Sequence, residues 1–116
     1  MDRKALIRAY KETRRPMGIY RIRHLATGRA LIGRSMDLPA ILNRERASLK
    51  FGGHTNKALQ RDWNTFGADA FAFEVVDTLT PPPDSEGYDP AEDLRLLEAM
   101  WRERLDVGDG SGVRGW

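Results

Sequence analysis

The sequence predicts an α+β domain, a small antiparallel sheet covered by helices. Two short apolar stretches, residues 17–22 and 30–33, are joined through Thr27-Gly28, whose glycine can take the positive φ that a tight turn requires. Further on, Phe71, Phe73 and Val75 alternate with Ala72, Glu74 and Val76, the period of a strand with one strongly apolar face. Apolar residues in the remaining segments recur at helical spacing. Strands and helices therefore mix along the chain, and the helices must cover the sheet.

Each element has its own local cause. Residues 2–14 carry Leu6, Ile7 and Tyr10 among Arg3, Lys4, Arg8, Lys11 and Arg14, a basic amphipathic helix that Pro16 stops. It reads first as a solvated surface helix and second as a phosphate contact. Residues 17–22 and 30–33 pair as a hairpin. Asp37 is placed to cap a helix with Pro39 in its first turn, running to about Lys50 and ended by Gly52-Gly53. Thr55 or Asn56 caps the next helix, whose Leu59, Trp63 and Phe66 form one apolar stripe closed by Gly67; the stripe reads as core. Pro81-Pro82-Pro83 through Gly87 form a loop, since prolines cannot extend a sheet ladder. Asp89-Pro90 starts a last helix to about Leu105. The expected organisation is a basic N-terminal helix over 1–16, the main domain over 17–105 and a flexible Gly-rich tail over 106–116.

With 116 residues and no cysteine, the chain has room for one ordinary core and none for a disulfide framework, a thiolate zinc site or a cysteine nucleophile. No apolar run approaches the roughly 18 residues of a membrane span, and Asp2-Arg3-Lys4 leads into no secretory segment. A soluble, cytoplasmic protein with no membrane association is expected. Charge is unevenly placed. Residues 1–61 hold 15 Lys+Arg against 4 Asp+Glu, a balance of +11, and residues 62–116 hold 4 against 13, a balance of −9. Fifteen of the 19 cationic residues are Arg, whose planar fork binds phosphate with two hydrogen bonds. Such a half suits a polyanionic partner; it also suits a fold whose acidic half neutralises it.

Within the last helix, Leu94, Trp101 and Leu105 share a face, and Glu98 falls in the same stripe. A carboxylate there is costly unless paired, protonated or bound to a cation. The residues alone leave two options open, a buried Glu–Arg pair and a metal ligand. Tyr20 stands on a strand beside Gly18, with Gly33 ending the neighbouring strand; glycines at both places let a backbone or phosphate approach closely. His54, after Gly52-Gly53, is a loop histidine able to act as acid, base or phosphate donor. His24 receives no role.

Taken in order, these residues resemble the GIY-YIG nuclease domain. Gly18-Ile19-Tyr20 reproduces its first motif, and Leu31-Ile32-Gly33 occupies the place of the second. Ser35 and Asp37-Leu38 follow as they do in the family. The segment from His54 to Gly67 and the strand from Phe71 to Val75 resemble the middle of phage and homing-endonuclease members, and Glu98 before Trp101 matches the metal-binding glutamate. The resemblance spans about residues 17–105. It implies a three-stranded antiparallel sheet flanked by helices, with one Mg²⁺ or Mn²⁺ held by Glu98 and phosphate oxygens. It also implies water activation assisted by Tyr20, with His54 lining the phosphate pocket.

Four positions depart from the family pattern. The second motif's tyrosine is Leu31, the catalytic arginine's place falls on Ile41, and the helix histidine falls on Glu45; the tail lacks the C-terminal asparagine. Arg44, three residues after Ile41, or Arg46 is expected to reach the phosphate instead. Candidate nucleic-acid contacts are Arg21, Arg34, Arg44, Arg46, Lys57 and Arg61. The resulting expectation is a divalent-metal-dependent endonuclease with Tyr20, His54, Glu98 and Arg44 as its catalytic set. It would act on DNA rather than RNA, weakly or on single-stranded or distorted substrates. A non-cutting nucleic-acid-binding module and a protein-interaction module are the alternatives.

Overall fold

The computed structural model describes residues 16–81 and 87–108. Strands β1 (Met17–His24) and β2 (Ala30–Ser35) form the hairpin. Helices α1 (Leu38–Phe51) and α2 (Lys57–Phe66) follow, then a short 3₁₀ turn, strand β3 (Phe71–Leu79) and helix α3 (Ala91–Gly108). The sheet order is β2-β1-β3, antiparallel throughout. The α+β class and the three-stranded antiparallel sheet flanked by helices are therefore as expected. The expected basic helix over residues 2–14, the middle of the proline loop and the tail beyond Gly108 lie outside the described residues.

Local chemistry sets the boundaries. The Asp37 carboxylate accepts from the Ala40 N–H at 3.1 Å, and Gly52 ends α1 in the left-handed region at φ 79°. Of the two candidate caps for α2, Asn56 is the one used, accepting from the Leu59 N–H at 3.1 Å. Asp89 accepts from the Ala91 N–H at 3.0 Å at the start of α3. That helix continues to Gly108, three residues past the expected end, because neither Asp106 nor Val107 breaks a helix as strongly as the first glycine does. Both hairpin strands also run two residues further than their apolar stretches, through His24 and Ser35.

The main core joins Ile22, Leu49, Leu59, Trp63 and Phe71, with Leu31, Ala70 and Phe73 packed around it. Two expected core residues are not in it. Val75 is about half exposed: β3 is an edge strand, and the core reaches only as far along it as Phe73. Phe66, closing the α2 stripe, is 57% exposed, with one face against the buried His24 ring at 4.9 Å. Helix α3 is fastened to the sheet separately. The Trp101 indole N–H donates to Asp77 at 3.0 Å, and the Arg102 guanidinium donates to the Ile32 carbonyl at 2.8 Å.

At Gly18, β1 and β3 come close. A Cβ there would stand 2.1 Å from the Asp77 carbonyl oxygen, a backbone atom with no freedom to yield. One residue on, the β1–β3 register shifts between Ile19 and Tyr20, the mark of a bulge that redirects the strand. The glycine thus belongs to the strand geometry that aims Tyr20. Gly18→Ala is expected to lower stability by more than ~3 kcal/mol, above the usual cost of overpacking. Gly53→Ala, where a Cβ meets nothing within 4 Å, is expected to change it by less than ~0.5 kcal/mol. Urea unfolding of both variants checks the contrast.

Candidate functional site

Tyr20 and Gly33 are direct cross-strand partners, and the phenol lies over the glycine. A Cβ at Gly33 would be 2.5 Å from the Tyr20 hydroxyl oxygen and 2.6 Å from the ring carbon that bears it. The second-motif glycine therefore makes room for the first-motif tyrosine. Two positions before it, Leu31 packs against the main core.

Tyr20 is buried, at 7% exposure. Its hydroxyl is pushed up to about 12, first by burial, then by the Glu45 and Glu98 charges, with Arg102 opposing them. Two carboxylates, Glu45 on α1 and Glu98 on α3, thus both act on the hydroxyl. Near neutral pH it is a protonated phenol, able to donate one hydrogen bond and accept others.

Glu98 is turned inward, 9% exposed, and its two oxygens have separate partners. Arg102, one turn later on α3, donates to Oε1 at 3.1 Å, while Arg34, next to Gly33 on β2, donates to Oε2. Of the two options the residues left open, the structure contains the Glu–Arg pair, doubled. A carboxylate oxygen is also the hard donor that Mg²⁺ and Mn²⁺ prefer, and Mg²⁺ is commonly held by one or two carboxylates with waters and substrate phosphates. Among the described residues no group of three or more His, Asp or Glu side chains could cage an ion. Glu98 therefore fits a cation shared with a substrate phosphate, and does not fit a resident ion enclosed by protein ligands.

His54 is buried at 7% exposure and bonded on every side. Its backbone N–H donates to Gln60 Oε1 at 3.1 Å, and Nδ1 accepts from the Asn56 N–H at 3.0 Å. With Nδ1 an acceptor, the neutral ring carries its proton on Nε2 and donates it to Glu45. The Gln60 amide donates to the Leu49 carbonyl and to Asn64, both at 3.0 Å. His54 thus holds Glu45 in place and has no ring nitrogen left for a phosphate.

Among the remaining expected contacts, Arg21 donates to Glu74 across the sheet, Nε at 2.7 Å, and Arg23, which was not expected in the site, joins it there. The Arg23 bond, and then that of Arg21, holds the Glu74 carboxyl below its usual range. Arg46 stacks on Phe73 at 4.6 Å. Arg44, Lys57 and Arg61 are exposed. Arg44, expected in the catalytic set, makes no ion pair among the described residues and does not join Tyr20 and Glu98. The sequence reading passed over Arg102, whose position one turn after Glu98 on the same face was a usable signal, and gave Arg34 only a general nucleic-acid role.

Searches against family models and curated proteins gave no match. Among solved structures, the catalytic domain of the homing endonuclease I-TevI shares 21% identity at a TM-score of 0.65, covering 84% of this chain and 96% of that one. A mutant form of the I-TevI catalytic domain, described as an intron endonuclease, shares 20% at 0.63, covering 78% and 84%. The likeness is one of fold, and it is the GIY-YIG-type fold that the motif order implied.

Two outcomes test the environment of Tyr20. Ultraviolet titration of tyrosinate should show one group ionising near pH 12, lost in Tyr20→Phe. Because the folded pKa lies above the unfolded value of about 10, the linked stability is complete below pH 10 and declines as pH rises toward 12; Tyr20→Phe should remove that decline.

Proposed function

We propose that this chain is a GIY-YIG-type endonuclease that hydrolyses DNA phosphodiester bonds with one Mg²⁺ or Mn²⁺ at Glu98. The observation that carries this reading is the inward-facing Glu98 carboxylate within electrostatic reach of the Tyr20 hydroxyl. A carboxylate on a helix face packed against a sheet is expensive, and a nuclease site gives it a purpose. The exposed Arg44, Lys57 and Arg61 supply a basic surface for the DNA backbone.

Hydrolysis forms one P–O bond from water and breaks one P–O ester bond; the water gives up a proton and the departing alkoxide gains one. A divalent cation, when bound, would neutralise phosphate charge and acidify water. The remaining work belongs to the chain. Tyr20, protonated at neutral pH, orients the attacking water by hydrogen bonding and does not remove its proton as a phenolate. Arg102, anchored on the Ile32 carbonyl, provides fixed positive charge beside Glu98. Glu45, held by His54, adds negative charge that helps keep the Tyr20 phenol protonated. With Leu31 and Ile41 at two functional positions of the family, turnover is slow and favours single-stranded or distorted DNA.

A second reading is a module that binds nucleic acid without cutting it, and the double guanidinium clamp on Glu98 favours it. Incubating the purified chain with labelled single- and double-stranded DNA in Mg²⁺, Mn²⁺ and EDTA separates the two. The endonuclease cuts only with metal. Glu98→Gln and Tyr20→Phe should each cost roughly 10²–10³ in rate, the usual loss for one preorganised stabilising group. The binder shows no metal-dependent cutting and keeps its DNA affinity in both variants. Cutting that persists unchanged in Glu98→Gln would refute the assignment of that residue.

A further inference from the structure

Glu98 has one negative charge and two guanidiniums, and the two are not held alike. Arg102 has two acceptors, its Nη2 donating both to Glu98 Oε1 at 3.1 Å and to the Ile32 carbonyl at 2.8 Å. Arg34 has a single partner among the described residues, Glu98 Oε2. Its side chain is 47% exposed and that of Arg102 58%, against 12% for Glu98, so the two differ in anchoring and not in exposure. The cluster carries one surplus positive charge, and the cation with no second anchor is Arg34. Ion pairs with a half-exposed partner are weak, so of the two the one that lacks a backbone anchor is the one that can be exchanged.

We infer that Arg34 is the exchangeable cation of the site: it neutralises Glu98 in the free protein and passes to the substrate phosphodiester when a divalent cation takes Glu98 Oε2. The inference rests on the nuclease reading and supplies what that reading lacks, a mobile guanidinium in place of the arginine replaced by Ile41. Arg44 is exposed and outside the Tyr20–Glu98 cluster, whereas Arg34 is already hydrogen-bonded inside it. The electrostatics drive the exchange. A divalent ion held by Glu98 would neutralise its charge, and Arg34, left without a counter-charge, would pair with the phosphodiester instead. Guanidinium and phosphate then pair through two parallel hydrogen bonds. Arg102, with its carbonyl anchor, stays in place. Cation and DNA consequently assist each other's binding, as linkage requires.

The test uses the full chain and two readouts other than cleavage. Mn²⁺ affinity is read from the electron paramagnetic resonance signal of free Mn²⁺, for wild type, Arg34→Gln, Arg34→Lys and Glu98→Gln. Affinity for a fluorescein-labelled single-stranded oligonucleotide is read by anisotropy in Ca²⁺ and in EDTA. Circular dichroism confirms that each variant folds, and Arg34→Lys keeps the charge should Arg34→Gln unfold. Arg34→Gln should bind Mn²⁺ about tenfold more tightly, because a competing cation is gone. It should also lose the gain in oligonucleotide affinity that Ca²⁺ gives the wild type, and Arg34→Lys should keep part of that gain. Glu98-dependent Mn²⁺ binding that is unchanged in Arg34→Gln, or a Ca²⁺ gain retained there, overturns the role of Arg34 alone. Mn²⁺ binding in the wild type that ignores Glu98→Gln overturns the metal site itself, and the exchange with it.

Discussion

A buried negative charge must be answered wherever the chain places it, and here the answer organises the site. Glu98 sits on the face of α3 that packs against the sheet, between Leu94 and Trp101. Left alone there, it would cost several kcal/mol in lost hydration. The chain meets it with one guanidinium from the same helix and one from β2. Those bonds, with Trp101 on Asp77, fix α3 against the sheet. The same interaction that secures the helix therefore sets the charge beside Tyr20. Structure and site chemistry are linked through a single side chain.

The hairpin supplies the other half. Two glycines do different work: Gly18 lets β3 backbone come close to β1, and Gly33 lets the phenol lie across β2. The register shift beside Tyr20 follows the first of these. Burial, and after it the charges of Glu45 (paired with His54) and Glu98, push the phenol's pKa up and keep it protonated. Where the family pattern implies a cationic or neutral histidine on α1, this chain has a carboxylate that consumes the neighbouring His54. The departure at Glu45 is thus met by His54, and its charge adds to the shift at Tyr20.

Much of this was legible in the residues. Caps at Asp37 and Asn56, glycine stops at Gly52 and Gly67, and the alternation from Phe71 fix the elements because each is a local backbone effect. The inward Glu98 was visible as a carboxylate in an apolar stripe. Pairings over long separations were not. Arg34 and Glu98 are 64 residues apart, and any of fifteen arginines could have filled that place. His54 looked like a surface loop residue because the chain itself does not show that Gln60 folds back to hold it. Phe66 and Val75 were misplaced for a related reason. Periodicity tells which face of an element is apolar, and only the tertiary fit tells how far along that face the cover extends.

The central claim is that Glu98 is a cation site that two arginines guard in the free protein. Anomalous diffraction from a crystal soaked in Mn²⁺ with a short oligonucleotide addresses it most directly. The account predicts a Mn²⁺ peak on the Glu98 carboxylate, with the Arg34 guanidinium turned from Oε2 to a phosphate and Arg102 still on the Ile32 carbonyl. An intact Arg34–Glu98–Arg102 cluster with no Mn²⁺ peak beside it would contradict the account.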